Sequence, residues 1–153
     1  MDNASLIIGL VLTLICALPL IYIANNQAKN RKKIKEIFNS FSQGKYNFSE
    51  RETHYKKIFA LDKTNKGFLF VDLNKEKDRA FFIDLSDVSS CKVEEIATGN
   101  DDSKITFQFK HKSGKANTEI VLYDLKTDKL GKAYWLENEQ VAQKWQTAIQ
   151  DNI

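Results

Sequence analysis

The pattern of apolar and polar positions divides the chain into one long apolar stretch, one amphipathic stretch and a series of short alternating stretches. The first stretch, residues 4–24, carries no charged side chain. A helix of that length reaches about 30 Å, which is the thickness of the hydrocarbon core of a bilayer. Because a chain in lipid must satisfy its own backbone hydrogen bonds, we expect a membrane-spanning helix within an anchor over residues 1–27.

A basic cluster follows the apolar stretch directly, and it consists of Lys29, Arg31, Lys32, Lys33 and Lys35. It fits an arm that binds nucleic acid, the edge of a cleaved signal peptide, or the cytoplasmic end of an anchor. A signal peptide carries its positive charge before the apolar stretch, where this chain has only Asp2. The positive-inside rule therefore predicts an uncleaved single-pass anchor in the inner (cytoplasmic) membrane, with the N-terminus outside and the C-terminal domain in the cytoplasm.

Residues 28–53 are expected to form a basic amphipathic linker. Its apolar residues have the spacing i, i+3, i+4 and i+7, which places them on one helical face: Ile34, Ile37, Phe38 and Phe41. Such a helix either lies along the anionic inner leaflet or connects anchor and domain with its apolar stripe packed on the domain. Residues 45–53 are polar in most positions and are interpreted as linker.

The remaining chain alternates between short apolar runs and polar turns. Residues 104–111 show the alternation best, since Ile105, Phe107 and Phe109 fall on one side and polar residues on the other. That period of two is typical of a half-buried antiparallel strand. The same reasoning predicts strands over residues 55–62, 68–73, 79–85, 89–97, 104–111 and 118–125.

The last apolar pattern changes to a helical period. Val141, Trp145 and Ile149 recur four residues apart, and we expect them to form the core-facing stripe of a helix that caps the strands. Residues 132–136 either form a seventh strand or begin this helix. The sequence thus predicts a mainly β domain over residues 54–153 that ends in one α-helix.

Antiparallel strands followed by a C-terminal helix with a central tryptophan resemble the pleckstrin-homology (PH) superfold. The stretch FFIDLSDVSSCKVEE, residues 81–95, is similar to the strand, corner and strand of bacterial PH-like domains. The whole chain resembles small bacterial membrane-anchored proteins of unassigned function. The resemblance implies an antiparallel barrel or sandwich of seven strands capped by one helix.

PH domains that bind phosphoinositides use basic residues at the first hairpin loop. The resemblance would place that site at Lys56, Lys57, Lys63 and Lys66. Ordinary surface charge is the alternative interpretation of these four lysines.

Charge is distributed unevenly, because residues 54–153 contain 16 Lys and Arg and 16 Asp and Glu. A neutral domain argues against a nucleic-acid partner, which would call for a basic patch in the fold. Cys16 lies in the apolar stretch and Cys91 in a predicted strand, so we expect no disulfide and a reducing compartment.

No motif for catalysis or cofactor binding is present in the sequence. His54 and His111 lack metal-ligand spacing, and Ser86 and Asp87 are expected to cap a corner through local backbone amides rather than to form a catalytic pair with Asp84. The acidic residues in 99–103 are expected to form a solvated turn. We therefore expect a protein without enzymatic activity, metal or cofactor that docks a protein partner, with anionic lipid as the alternative partner.

Overall fold

The computed structural model of the protein describes residues 3–42, 44–74, 79–97, 103–128 and 131–153. The chain divides into two compact units, Met1–Phe41 and Ser42–Ile153. Each unit is described by itself below. The predicted turns at residues 74–78 and 98–103 lie largely outside the described residues.

The first unit is dominated by one helix, α1, which spans Asn3–Ser42 and contains Pro19. From Val11 onward it includes an 18-residue window of mean hydropathy 1.5, and none of that window is buried. Leu18 and Leu20 expose 62% and 68% of their surface. This helix is long and apolar enough to cross a membrane, which agrees with the predicted anchor.

The second unit contains two antiparallel sheets. The first has the strand order β1-β2-β3-β4 and the second has the order β5-β6-β7. The strands are β1 (Glu50–His54), β2 (Lys57–Asp62), β3 (Gly67–Asp72), β4 (Arg79–Asp84), β5 (Val88–Ala97), β6 (Ser103–His111) and β7 (Thr118–Asp124). Within the described residues the strands form two separate sheets rather than a closed barrel.

The apolar side chains of the predicted strands form the core between the two sheets. Alternate side chains of β2, β3 and β6 point inward and form an aromatic cluster with the terminal helix, which consists of Phe59, Phe68, Phe70, Phe107, Phe109 and Trp145. Every residue of β2 and β3 is buried, so these central strands bury both faces. Strands that are buried on both faces have nearly continuous apolar runs. The stretches FALD of β2 and GFLFV of β3 follow this pattern in most positions.

The C-terminal helix, α3, spans Trp135–Gln150 and follows a short helix, α2, at Leu125–Asp128. Trp145 stacks on Phe59 with ring centroids 5.5 Å apart, and Ile149 is fully buried. Val141 is partly buried against the same core. The predicted core stripe of the helix therefore packs on the strands.

Residues 132–136 form no strand. Lys132–Tyr134 is a 3-10 turn and α3 begins at Trp135. The seventh strand is β1 instead, at Glu50–His54, where the sequence predicted linker. The preceding segment is also ordered on the domain, since Phe48 is only 2% exposed and the Tyr46 ring lies 4.7 Å from that of Phe82.

The corner between β4 and β5 differs from the prediction in its capping residue. The carboxylate of Asp84 accepts hydrogen bonds from the amide and the hydroxyl of Ser86, at 3.0 and 2.6 Å. Asp87 instead accepts hydrogen bonds from Ser113 in the β6–β7 turn. The corner is therefore capped from the end of β4, while Asp87 ties it to a turn of the second sheet.

Candidate functional site

A groove runs between the edge strand β1 and the terminal helix, and we name it the β1–α3 groove. Its volume is about 410 Å³, and it is lined by Ser49, Glu50, Arg51, Glu52, Lys144, Trp145 and Ala148. The strand contributes backbone and charged side chains, and the helix contributes an indole and aliphatic surface. Sites that bind other molecules commonly combine apolar walls with a few polar groups in this way.

Glu52 is the polar centre of the β1–α3 groove. One oxygen of its carboxylate accepts a hydrogen bond from Trp145 Nε1 at 2.7 Å and another from Lys144 Nζ at 2.9 Å. Burial raises the pKa of Glu52, but these two hydrogen bonds and the nearby charge of Lys144 act together in the opposite direction and leave the pKa below its ordinary value. The groove therefore holds an ionised carboxylate that joins strand and helix.

A second groove lies beside β4 and the start of β7, and we name it the β4–β7 groove. Its volume is about 560 Å³, and it is lined by Ala80, Phe81, Phe82, Ile83, Asp84, Asp87, His111, Lys115, Ala116 and Thr118. Aromatic side chains of β4 form part of its wall, while the polar lining comes mostly from the ends of strands and the β6–β7 turn.

The polar end of the β4–β7 groove places a hydroxyl, an imidazole and a carboxylate in sequence. His111 Nε2 lies 2.9 Å from Thr118 Oγ1, and His111 Nδ1 lies 3.4 Å from Asp87 Oδ2. The second distance is longer than a good hydrogen bond, and Nδ1 has no hydrogen-bond partner among the residues that the structure describes. A base that activates a hydroxyl is normally oriented by such a bond, so the geometry does not form a catalytic triad.

The hydrogen bonds of Asp87 indicate that this residue has a structural role. The hydroxyl of Ser113 donates to its carboxylate at 3.0 Å, and Lys115 Nζ lies 3.4 Å away. The Ser113 bond and the Lys115 charge hold the pKa of Asp87 below its ordinary value, against a smaller opposing effect of burial. Asp87 thus fixes the β6–β7 turn to the corner that precedes β5.

The four lysines predicted at a headgroup site do not form one surface. Lys56 is exposed in the turn between β1 and β2, whereas Lys63 and Lys66 are exposed in the turn at the opposite end of β2. Lys63 also pairs with Glu50 at 2.6 Å. The sequence suggested β2 as the first strand, but β1 precedes it. The first hairpin loop is therefore the turn that contains Lys56.

Lys57 is buried and belongs to the interior of the domain. Its ammonium lies 2.8 Å from a carboxylate oxygen of Asp128 and 3.4 Å from one of Asp72, and all three side chains are almost fully buried. The ammonium also lies over the Tyr123 ring, 5.2 Å from its centroid. This ion cluster joins β2, β3 and α2, and Lys57 cannot at the same time reach a headgroup in solvent.

The basic cluster of α1 is exposed at each of its positions, which are Lys29, Arg31, Lys32, Lys33 and Lys35. His54 lies at the end of β1, with Nε2 3.1 Å from Asn138 Oδ1. Among the residues that the structure describes, no three His, Cys, Asp or Glu side chains converge as a metal site. Cys16 and Cys91 are both free thiols.

Sequence reasoning favoured docking beside the terminal helix or along a strand edge, but it did not identify the residues of the β1–α3 groove, because the two walls of this groove are distant in the chain. Glu52 and Trp145 are 93 residues apart. The one local signal was the tryptophan on the helical stripe. Comparison with protein-family models, curated proteins and solved structures finds no match to this chain.

Proposed function

We propose that this protein is a single-pass membrane-anchored interaction module. The first half of α1 spans the inner membrane, the N-terminus lies outside, and the second unit lies at the cytoplasmic face. The apolar window of α1, of which no part is buried, supports the anchor, because such a surface is unfavourable in water. The exposed basic cluster that follows supports the orientation.

The second unit is proposed to be a PH-like domain. The order of four antiparallel strands, three antiparallel strands and one terminal helix supports this assignment. So does Trp145, which packs from α3 onto the aromatic core between the sheets. Such a domain, held at the membrane by its anchor, meets partners of the same membrane at a raised effective concentration.

The partner is proposed to be a protein that docks in the β1–α3 groove. The observation that carries this proposal is the groove itself, where an edge strand and the indole-bearing face of α3 line an open volume of about 410 Å³. Edge strands and grooves beside helices are common docking surfaces for peptide segments. Trp145 forms the floor of this groove, because its side chain is 4% exposed and its Nε1 already donates to Glu52.

A photo-crosslinking experiment on the full chain in its native membrane tests this proposal. A photoreactive phenylalanine analogue replaces Ser49 in the groove or, as the matched control, Lys110, which is exposed on β6 and lines neither groove. We expect a discrete protein adduct from position 49 and none from position 110. Equal adducts from both positions, or lipid adducts alone, would contradict docking in this groove.

The exposed basic cluster favours a second candidate function, an anionic-lipid surface sensor. Each Lys or Arg near an anionic leaflet contributes about 1 kcal/mol of attraction. The full chain in nanodiscs of neutral or anionic lipid, with a fluorophore at position 63, distinguishes the two functions. A lipid sensor brings the fluorophore to the headgroups only in anionic discs and at low salt, whereas a docking module gives the same signal in both discs.

A further inference from the structure

The free edge of β5 is covered by two glutamine side chains of α3. β5 is an edge strand because the second sheet has the order β5-β6-β7. The amide of Cys91 donates to Gln150 Oε1 at 3.1 Å, and the amide of Val93 donates to Gln146 Oε1 at 3.1 Å. Both amides therefore point away from β6, and each meets a carboxamide oxygen.

The spacing of the two glutamines matches the spacing of the two amides. Residues four apart on a helix are displaced by about 6 Å along its axis. Residues two apart on a strand are displaced by about 6.6 Å, and they present their amides on the same edge. The carboxamides thus occupy the positions that two carbonyls of a neighbouring strand would take.

An open β5 edge would favour pairing with a second copy of the same edge. If two β5 strands pair in antiparallel fashion with Val93 opposite Val93, Lys92 of each lies opposite Glu94 of the other. Opposite charges in directly facing positions stabilise such a pair. Lys92 and Glu94 are both exposed, so both are available for such a pair.

We infer that Gln146 and Gln150 close the β5 edge and thereby prevent strand pairing between copies of this protein. Unpaired edges are aggregation sites that folded proteins must protect. β1, one of the two edge strands of the other sheet, has a charged sequence, ERETH, whereas β5 carries Val88, Cys91 and Val93 in its first half. The glutamines satisfy two amides in this half of β5 that would otherwise be open to a partner strand.

Amide exchange, measured by NMR on the full chain in detergent micelles, tests the pairwise assignment. Gln146→Met removes one acceptor while it keeps a similar length and flexibility, and we expect exchange of the Val93 amide to rise about fivefold. Gln150→Met has the same effect on the Cys91 amide alone. Gln146→Glu and Gln150→Glu keep an acceptor oxygen and leave both amides protected.

The Lys92 amide, which faces β6, is the internal control for general loosening of the domain. If either Met variant accelerates all three amides equally, or accelerates none, the assignment is overturned. Sedimentation equilibrium of the same chains tests the consequence. The double Met variant must associate more strongly than the wild type and the double Glu variant, and a double Met variant that stays as monomeric as the wild type rejects the guarding role.

Discussion

At the scale of single residues, Glu52 joins an edge strand to the helix that caps the core. Its carboxylate is partly buried, and the two hydrogen bonds that it accepts come from neighbouring residues of α3, Lys144 and Trp145. Hydrogen bonds to an ionised group are stronger than neutral ones. This carboxylate therefore contributes to folding and to the shape of the β1–α3 groove at once.

The pH dependence of stability follows from Glu52. Because its pKa is lower in the folded state, its contribution is fully present above the unfolded pKa and disappears as pH falls through the folded pKa. Glu52→Gln keeps an acceptor for Trp145 but loses the charge, so we expect a loss of about 1 kcal/mol at pH 7 that shrinks as pH falls through the folded pKa of Glu52.

Urea unfolding of the full chain in micelles, followed by tryptophan fluorescence, measures this difference. Glu139→Gln is the matched control, because Glu139 lies on α3 and accepts a hydrogen bond from Gln143 of the same helix. A destabilisation by Glu52→Gln that stays constant from pH 7 down to the lowest pH at which the fold persists would show that the charge of Glu52 is not the cause.

Cys91 gives a second prediction at this scale. Burial raises the pKa of its thiol to about 12, and the side chain is 1% exposed. In a Cys16→Ser background we expect no reaction with a maleimide at pH 8 until guanidinium unfolds the domain, because the thiolate is the reactive form. Ala116→Cys in the same background is exposed and must react at once. Rapid labelling of Cys91 in the folded chain would contradict the described packing.

At the scale of elements, the buried ion cluster of Lys57, Asp72 and Asp128 connects three segments that are distant in sequence. Lys57→Met would leave two buried carboxylates without their cation, so we expect the free energy of unfolding to fall by about 3–5 kcal/mol. Lys56→Met is the matched control, because Lys56 is next to Lys57 in the chain and its own side chain is exposed. The expected change for this variant is within about 0.5 kcal/mol.

The same urea experiment measures both lysine variants. Equal stabilities of Lys56→Met and Lys57→Met would mean that Lys57 is not paired in the interior. The prediction depends on the carboxylates and not on the lysine alone, so adding Asp128→Asn to Lys57→Met must recover part of the lost stability, because it removes one of the two uncompensated charges.

The six strands predicted from sequence exist, with ends that differ by no more than two residues from those observed. The sequence pattern of these six strands was clear, because apolar side chains alternate or run continuously through buried strands. β1 was missed because its sequence, ERETH, has no apolar alternation, and only its pairing with β2 makes it a strand. The expectation of an exposed Lys57 failed because a buried lysine differs from a surface lysine only through its long-range carboxylate partners.

The candidate site was less predictable than the fold for the same reason. The stripe of Val141, Trp145 and Ile149 was visible in the helical period, but the position of the helix on β1 and β5 was not. Glu52, Gln146 and Gln150 are ordinary polar residues in sequence. Their roles depend on contacts across 53 to 93 residues of chain.

At the scale of the whole molecule, the proposed orientation rests on the charge asymmetry around the apolar helix. Asp2 is the sole charged residue before it, while the basic cluster follows it. The positive-inside rule makes this asymmetry the determinant of topology. If the rule applies here, changing the charges must move the whole C-terminal domain to the other side of the membrane, without any change in that domain.

Thiol labelling in spheroplasts tests this prediction with Ala116→Cys in the Cys16→Ser background as the reporter. With the natural basic cluster we expect position 116 to be protected from a membrane-impermeant maleimide until the membrane is lysed.

Replacing the five basic residues of the cluster with Gln and adding three lysines before residue 4 must make the same thiol reactive in intact spheroplasts, because the positive end of the helix is then the N-terminal one. The Gln replacements without the added lysines are the control for lost charge alone. Immediate labelling of the chain that keeps its natural cluster would place the domain outside and reject the proposed orientation.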